Sequence, residues 1–237
     1  MITLDDLKTD RDTQITVVCI AFFLLAFPLY FGIAGANASS SEAMGGVGDY
    51  NVNGELTYVE LTDGIEYIAD GDTFTIDDLH SDSVDGAEDM NIVGIRVTMS
   101  YGEDEVDGNG LQCNGPGSGQ NAADTISGSA THGEYNGSTD GQNGGQNSEH
   151  NVTVEWFNSS MVGATVSGLS ESDIISQIDS MGAGLGAYSA VIGVTAEAGN
   201  SPVPGCGHSD EGEEVTFLVE LIIFDYTIAP GFDETEL

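Results

Sequence analysis

Positive charge is what this sequence lacks most. Lysine and arginine together number 3, against 40 aspartates and glutamates, and the formal net charge at pH 7 is −37. Proteins neutralise phosphate groups with clustered basic side chains, and this chain has no basic patch and no basic helix. We therefore expect no nucleic-acid partner and no adhesion of the acidic region to anionic headgroups. Cations or a basic protein surface are the charge-compatible ligands.

Recognisable catalytic motifs are also missing. The sequence has no G-x-S-x-G, no H-E-x-x-H, no phosphate-binding G-x-x-x-x-G-K and no dinucleotide fingerprint leading into a helix. The four histidines, His80, His132, His150 and His208, all lie in polar or Gly-rich surroundings typical of exposed loops. We therefore predict no enzymatic activity and no cofactor.

The acidic excess indicates a saline setting. A surface with so many carboxylates repels itself unless salt screens it, and the Debye length is about 3 Å at 1 M salt. Abundant aspartate with almost no lysine resembles, in composition, the exported proteins of halophilic or marine archaea. Two interpretations of the charge stay open, solubility alone or specific cation binding.

One long apolar run is present, from Ile15 to Ala38, and it contains no charged residue. As a helix, the part from Ile15 to Ala36 would be about 33 Å long, enough to cross a bilayer core. It is predicted to be either a retained transmembrane anchor or a signal peptide cleaved after Ala38, at an A-x-A site. Because Lys8 and Arg11 precede the run, we expect a cytoplasmic N-terminus and an extracytoplasmic C-terminal region.

This layout resembles that of archaeal type IV pilin-like proteins. It combines a short charged N-terminus containing Arg11, about twenty apolar residues, and a β-rich exported domain. In that family a small residue, typically glycine, usually follows the basic residue at the processing site, whereas Asp12 stands here. The resemblance implies a filament subunit whose apolar helices pack in the filament core.

The chain divides by composition into four parts. Residues 1–14 are predicted to be a cytoplasmic tag, 15–38 the anchor or signal peptide, 39–50 a polar stalk, and 51–237 a single β-rich ectodomain. Within that domain, residues 102–149 are dominated by Gly, Asn, Ser, Gln, Asp and Thr. This composition predicts a flexible surface insertion.

Alternating apolar residues predict the strands of the ectodomain. Asp63-Gly64 and Asp70-Gly71 separate short β-rich runs, which predicts a three-stranded meander from Glu55 to Ile76. Residues Ile92 to Tyr101 alternate strictly and predict a half-buried strand, with Val93 on the apolar face. Residues 214–228 are apolar on both faces, which indicates a central strand.

One helix is predicted outside the apolar run, from Ser170 to Met181. Ser170 is placed to cap the helix, and Asp173 is at the reciprocal position of that cap. Ile174, Ile178 and Met181 share one face. About seven strands, one short helix and Gly-rich connections predict a mainly β fold, an antiparallel β-sandwich of the jelly-roll or immunoglobulin-like type.

Cys113 and Cys206 are the two cysteines beyond the apolar run, and both lie in Gly-rich segments of a region predicted to be exported. A disulfide between them is the expected pairing, because exported domains use such bonds to restrain long loops. The alternative is a metal site built on Cys206-x-His208-x-Asp210, which His132, His150 and Cys113 could complete.

Two further kinds of site are predicted from local composition. Calcium suits so many carboxylates, although no segment fits an EF-hand loop. Asn-x-Ser/Thr triplets predict glycosylation in an exported domain. The weak metal candidates are Asp70, Asp72, Asp104, Asp107 and His208, and the glycosylation candidates are Asn136, Asn151 and Asn158.

These features predict a single-pass surface protein with an acidic β-sandwich that has a structural or binding role at the cell envelope. Its contacts would be the membrane through Ile15 to Ala36 and either an envelope protein or further copies of itself. The alternatives are the pilin-like filament subunit and a secreted enzyme or binding protein released after Ala38.

Overall fold

The computed structural model describes residues 11, 14–15, 19–20, 22–27, 46–102, 122–143, 147–203 and 206–231. The chain divides into two units, Met1–Val47 and Gly48–Leu237. The described residues of the first unit up to residue 27 are helical. Among the residues that the structure describes, no helix is both long and apolar enough to cross a bilayer. Most of the predicted anchor, Ile15–Ala38, lies outside them, so the membrane span stays a prediction.

In the residues that the structure describes, the second unit contains two antiparallel sheets and one short α-helix, which confirms the predicted mainly β class and is consistent with a β-sandwich. The five-stranded sheet has the order β6-β3-β9-β1-β7, and the four-stranded sheet has the order β2-β8-β4-β5. The elements are β1 (Gly48–Ala69), β2 (Thr73–His80), β3 (Ile92–Tyr101), β4 (Thr125–His132), β5 (Tyr135–Gln142), β6 (Ser148–Glu155), β7 (Thr165–Leu169), α1 (Glu171–Ile178), β8 (Ala187–Thr195) and β9 (Gly212–Pro230).

The main core lies between the two sheets. Ile95 and Val97 of β3, Val219 and Leu221 of β9, and Ile192 of β8 are all fully buried in it. Burying an aliphatic side chain of this size contributes about 1.5–3 kcal/mol, so this layer is the main source of stability.

A second, smaller core covers the opposite face of the five-stranded sheet. Helix α1 supplies Ile174 and Ile178, and the sheet supplies Val52, Ile222 and Phe224, each almost completely buried. Strand β9 is therefore apolar on both faces because it is central and covered on both sides, as its sequence predicts.

Strands β1 and β9 pair over nearly their whole length, from Tyr50 opposite Pro230 to Ala69 opposite Gly212. The prediction of a hairpin at Asp63-Gly64 is wrong, because both residues lie inside β1. Gly64 is opposite Phe217, and a Cβ atom at Gly64 would collide with that ring. The glycine is required for packing and not for a turn.

The turn predicted at Asp70-Gly71 is present, and Gly71 has a φ of 77°, which favours glycine. It does not close a hairpin, because β1 and β2 belong to different sheets. The predicted meander from Glu55 to Ile76 is therefore wrong: this stretch contains one long strand and a corner leading to the second sheet.

Strand β3 has the bounds that its alternation predicts, but Val93 faces the other way. The pairing of β3 with β9 shifts between Ile92 and Gly94, which is a β-bulge. A bulge inserts one residue and reverses the faces on either side of it. Val93 therefore packs in the second core, while Ile95 packs in the first.

The prediction of a structureless insertion over 102–149 is wrong for the part that the structure describes. Strands β4 and β5 form a hairpin whose turn contains Gly133, with a φ of 55°. Ile126 and Ala130 of β4 are buried in the main core, whereas β5 is an exposed edge strand that tolerates polar residues. Residues 103–121 and 144–146 lie outside the described part.

Helix α1 begins as predicted. The Ser170 side chain accepts from the Asp173 amide at 3.2 Å, and the Asp173 carboxylate accepts from the Ser170 amide at 3.3 Å, which is a capping box. The Ser170 hydroxyl also donates to Asp173 Oδ2 at 2.6 Å, and this bond, followed by the bond from the Ser170 amide, lowers the pKa of Asp173. The helix ends at Ile178, earlier than predicted, and Met181 lies beyond it with 70% of its surface exposed.

We expect Ser170→Ala to lower the free energy of unfolding by about 1 kcal/mol, because the Asp173 amide loses its acceptor and the Asp173 carboxylate loses the Ser170 hydroxyl donor. Ser176→Ala, at an exposed position of the same helix, is the matched control and should change it by less than about 0.5 kcal/mol. Urea unfolding of the full chain measures both. Equal losses would contradict the role of the cap.

Candidate functional site

One candidate site is a cleft of about 340 Å³ at one end of the five-stranded sheet. It lies where β3 ends and where β6 and β9 begin, so three strand termini supply its walls. The lining residues are Ser100, Tyr101, Gly102, Asn147, Ser148, Glu213, Glu214 and Thr216.

Glu213 is the buried acid of this cleft. Only 1% of its surface is exposed, and its Oε1 accepts a hydrogen bond from the Gly102 amide at 3.1 Å. Burying a carboxylate is costly unless it is hydrogen-bonded. Burial, followed by the nearby Glu213 charge, raises the pKa of Tyr101, so this tyrosine keeps its proton at neutral pH.

Tyr101 contacts His150 across the β3–β6 pair. The Tyr101 Oη lies 3.1 Å from His150 Nδ1, and the two rings meet edge to face. Burial lowers the pKa of His150, while a backbone hydrogen bond with Thr139 and the charge of Asp140 oppose the shift. A tyrosine hydroxyl that donates to Nδ1 requires the imidazole tautomer with its proton on Nε2.

This arrangement can hold a small polar or cationic group. Glu213 and Glu214 make the cleft negative, and Tyr101 and His150 form a hydrogen-bonded pair beside it. Sequence reasoning noted His150 only as a possible metal ligand and missed the other three. Nothing local distinguishes Glu213 from the other carboxylates of this acidic chain, because its partner, the Gly102 amide, is distant in sequence.

A buried polar network lies between the end of β3 and the start of β4. Asp124 and Asn143 are fully buried, and each hydrogen-bonds the other, at 2.7 and 3.1 Å. Asn143 also donates to the Gly102 carbonyl, and Asp124 Oδ1 accepts from the Glu197 amide at 2.7 Å. These bonds join the ends of β3, β5 and β8 to the start of β4, so we interpret the network as structural.

His132 is not the exposed loop residue that its surroundings predict. It is 7% exposed, and its ring stacks on Tyr188 with centroids 4.1 Å apart. Nδ1 lies 2.9 Å from the Ala187 carbonyl oxygen and Nε2 lies 2.6 Å from that of Ala183. Both nitrogens are thus engaged by the backbone, which leaves neither for a metal.

The structure does not bring the weak metal candidates together. Asp70 Oδ1 accepts from the Ala196 amide at 3.0 Å, which fixes the corner between the sheets. Asp104 and Asp107 lie outside the described residues. Over the described ranges, no three His, Cys, Asp or Glu side chains are grouped closely enough to hold a metal. Asp72 is exposed and His208 is half-buried.

The glycosylation candidates differ in accessibility. Asn136 on β5 and Asn151 on β6 are exposed. Asn158 is half-buried, and its amide donates to Gln177 Oε1 at 3.1 Å. Asn136 and Asn151 are therefore the more accessible acceptors, and their modification stays a prediction. The cleavage candidate Ala38 lies outside the described residues.

Arg96 is the only lysine or arginine after the apolar run, and it lies on the outer face of the five-stranded sheet. Its guanidinium donates twice to Glu220 Oε2, at 3.0 and 2.7 Å. The guanidinium carbon also lies 3.6 Å from the centre of the Tyr58 ring. This charge is therefore satisfied within the sheet.

Comparisons with known proteins show no family for this chain. No family model and no curated protein matches the chain. One solved structure, the mud crab tombus-like virus seen by cryo-EM, aligns with 77% of this chain and 84% of its own, at 9% identity and a TM-score of 0.19. A likeness that weak carries no functional argument.

The described residues do not test the disulfide predicted between Cys113 and Cys206. Cys206 is buried and disulfide-bonded, whereas Cys19 is a free, exposed cysteine. Cys113 lies outside the described residues, so its pairing with Cys206 stays a prediction.

We expect non-reducing peptide mapping of the native chain to yield one cross-linked peptide pair that contains Cys113 and Cys206. Without reduction, a maleimide should label Cys19 alone in the unfolded chain, because only a free thiol reacts. A Cys113→Ser variant is the control and should expose a second reactive cysteine. Full labelling of all three residues before reduction would rule the bond out.

We expect the pKa of the His150 ring to lie below its ordinary value of 6.5. Because the folded pKa is lowered, the unfolded chain binds this proton more readily. The contribution of His150 to stability therefore falls as the pH drops below about 6.5 and levels off below the folded pKa. An NMR titration measures the midpoint. Tyr101→Phe should largely preserve the shift, because burial is its main cause; a midpoint at or above 6.5 would contradict the site geometry.

Proposed function

We propose that this chain is an exported, N-terminally anchored surface protein whose acidic β-sandwich has a structural or binding role at the cell envelope. The observation that supports this most directly is the exposure of apolar side chains in the first unit. Among its described helical residues, Leu24 is 69% exposed, Leu25 67% and Phe22 64%.

Exposed apolar side chains of this size are unfavourable in water. Leaving one Leu or Phe exposed forgoes about 1.5–3 kcal/mol of burial free energy. The uncharged sequence around them continues from Ile15 to Ala38, which matches the thickness of a bilayer core. A lipid environment covers such a stretch, and Lys8 and Arg11 then favour a cytoplasmic N-terminus.

The acidic domain suits an outward-facing position in a saline medium. The chain after the apolar run carries one arginine and a large excess of carboxylates, and Arg96 is already paired with Glu220. Its surface is therefore strongly negative, which keeps the domain soluble and favours cationic or basic partners. The cleft containing Glu213 and Glu214 is the place where such a cationic group would bind.

The location of the native chain and its N-terminus test this proposal. We expect mass spectrometry of the membrane fraction to find a terminus at Met1 or Ile2. A terminus at Ser39 in the medium would mean a secreted domain, and a terminus near Asp12 in sheared filaments would mean a pilin-like subunit. Either result would overturn the proposal.

A matched pair of variants tests the anchor itself. Leu24→Arg/Leu25→Arg should move the chain out of the membrane fraction, because each central arginine costs about 2.5–3.5 kcal/mol in a bilayer. Ser40→Arg/Ser41→Arg adds the same charge beyond the apolar run and should leave the chain in place.

A further inference from the structure

Strand β1 has a long open edge in the five-stranded sheet. Strand β7 pairs with β1 only from Gly48 to Asn51, and the Val52 amide then donates to Ala164 at 2.9 Å. From residue 54 to residue 65, no strand in the described part of the chain pairs with β1 on the side away from β9. An open edge presents unpaired N–H and C=O groups, which is a template for another strand.

The backbone alternation shows which residues present those groups. The Val52 amide points away from β9. Backbone groups of a strand point the same way at every second residue, so those of Tyr58 and Glu60 also point away from β9, toward the open edge. The pairing with β9 then shifts between Glu60 and Thr62. Because this bulge inserts one residue, the backbone groups that point toward the open edge after it are those of Asp63 and Ile65. The side chains of these four residues all lie on the outer face.

Two of these four side chains are large, apolar and exposed. Tyr58 is 42% exposed and Ile65 is 62% exposed. A strand added to the edge would cover both and would also pair the backbone groups beside them. Long edges with exposed apolar side chains are the ones that associate.

We propose that β1 pairs antiparallel with β1 of a second copy of this chain, about a two-fold axis where Leu61 of one copy faces Thr62 of the other. In this register Tyr58 of each copy is opposite Ile65 of the other, and Glu60 is opposite Asp63. Aromatic and β-branched residues form favourable cross-strand pairs. The two five-stranded sheets become one continuous sheet.

The bulge is what makes β1 complementary to itself. In a regular strand, Tyr58 and Ile65 would point to opposite faces, because they are an odd number of residues apart. With the bulge between them, the side chains of Tyr58 and Ile65 share the outer face, and the backbone N–H and C=O groups of both residues point toward the open edge. A two-fold interface requires this property, since each contact must recur with the partners exchanged.

Charge decides when the pairing forms. Glu60 opposite Asp63 places like charges across the strands on both sides of the axis, which opposes association. Salt shortens the Debye length to about 3 Å at 1 M, so the dimer should strengthen as salt increases. A basic strand from a different protein is the competing occupant, and it would bind best at low salt. The proposal goes beyond the envelope role and does not depend on where the chain is anchored.

Disulfide trapping tests the register in the full chain, solubilised in detergent at high salt. In a Cys19→Ser background, chains carrying Tyr58→Cys and chains carrying Ile65→Cys, with different tags, are mixed and oxidised. We expect mixed cross-linked dimers. Thr57→Cys in place of Tyr58→Cys is the matched control and should cross-link at least about fivefold less, because its side chain points to the other face. Equal yields, or no cross-link with Tyr58→Cys, would overturn the proposal.

Salt dependence tests the interface without oxidation. By light scattering, we expect the dissociation constant to fall as salt increases. Glu60→Gln/Asp63→Asn should tighten association at low salt about fivefold, because two like-charge pairs are removed. Glu55→Gln/Glu66→Gln changes the net charge equally, away from these pairs, and should have little effect. A monomer at every salt concentration, or an equal effect of both variants, would overturn the proposal.

Discussion

The antiparallel pairing of β1 with β9 is the interaction on which the rest of the structure depends. It joins two strands that are distant in sequence, from Tyr50 opposite Pro230 to Ala69 opposite Gly212. Strand β9 also pairs with β3, which in turn pairs with β6, so four of the five strands of this sheet are positioned through β9. Both cores are built on its two faces, because Leu221 belongs to one and Ile222 to the other.

Single-residue bulges determine which surfaces the long strands present. The bulge at Val93 turns that side chain into the core beneath α1, which would otherwise lose an apolar contact. The bulge between Glu60 and Thr62 turns Ile65 onto the same outer face as Tyr58. Because side chains alternate with a period of two, one inserted residue reverses every face beyond it. The open edge of β1 owes its pattern to this reversal.

Charge acts on this molecule at two levels. The net charge of −37 makes the whole surface repulsive to anions and to further copies at low salt. A few acids nevertheless have specific partners. Glu220 pairs with Arg96, and Glu213 accepts a hydrogen bond from the Gly102 amide. Asp124 accepts from the Asn143 side chain and from the Glu197 amide. Burial and backbone donors, and not the number of acids, give Glu213 and its neighbours Tyr101 and His150 their distinct environment.

The sequence by itself determined the local features. Alternation predicted the bounds of β3 and the central position of β9, and the Ser170–Asp173 pair predicted the start of α1, because these signals lie within a few residues of one another. The tertiary structure decided the features that depend on distant partners. Gly64 became a packing glycine because Phe217 lies opposite it, and polar residues 125–142 became strands because β8 offered them an edge. The buried Glu213 carboxylate accepts from the amide of Gly102, which is distant in sequence. Pairing between distant segments carries no local signal, so neither the bulges nor the cleft could be predicted from the sequence.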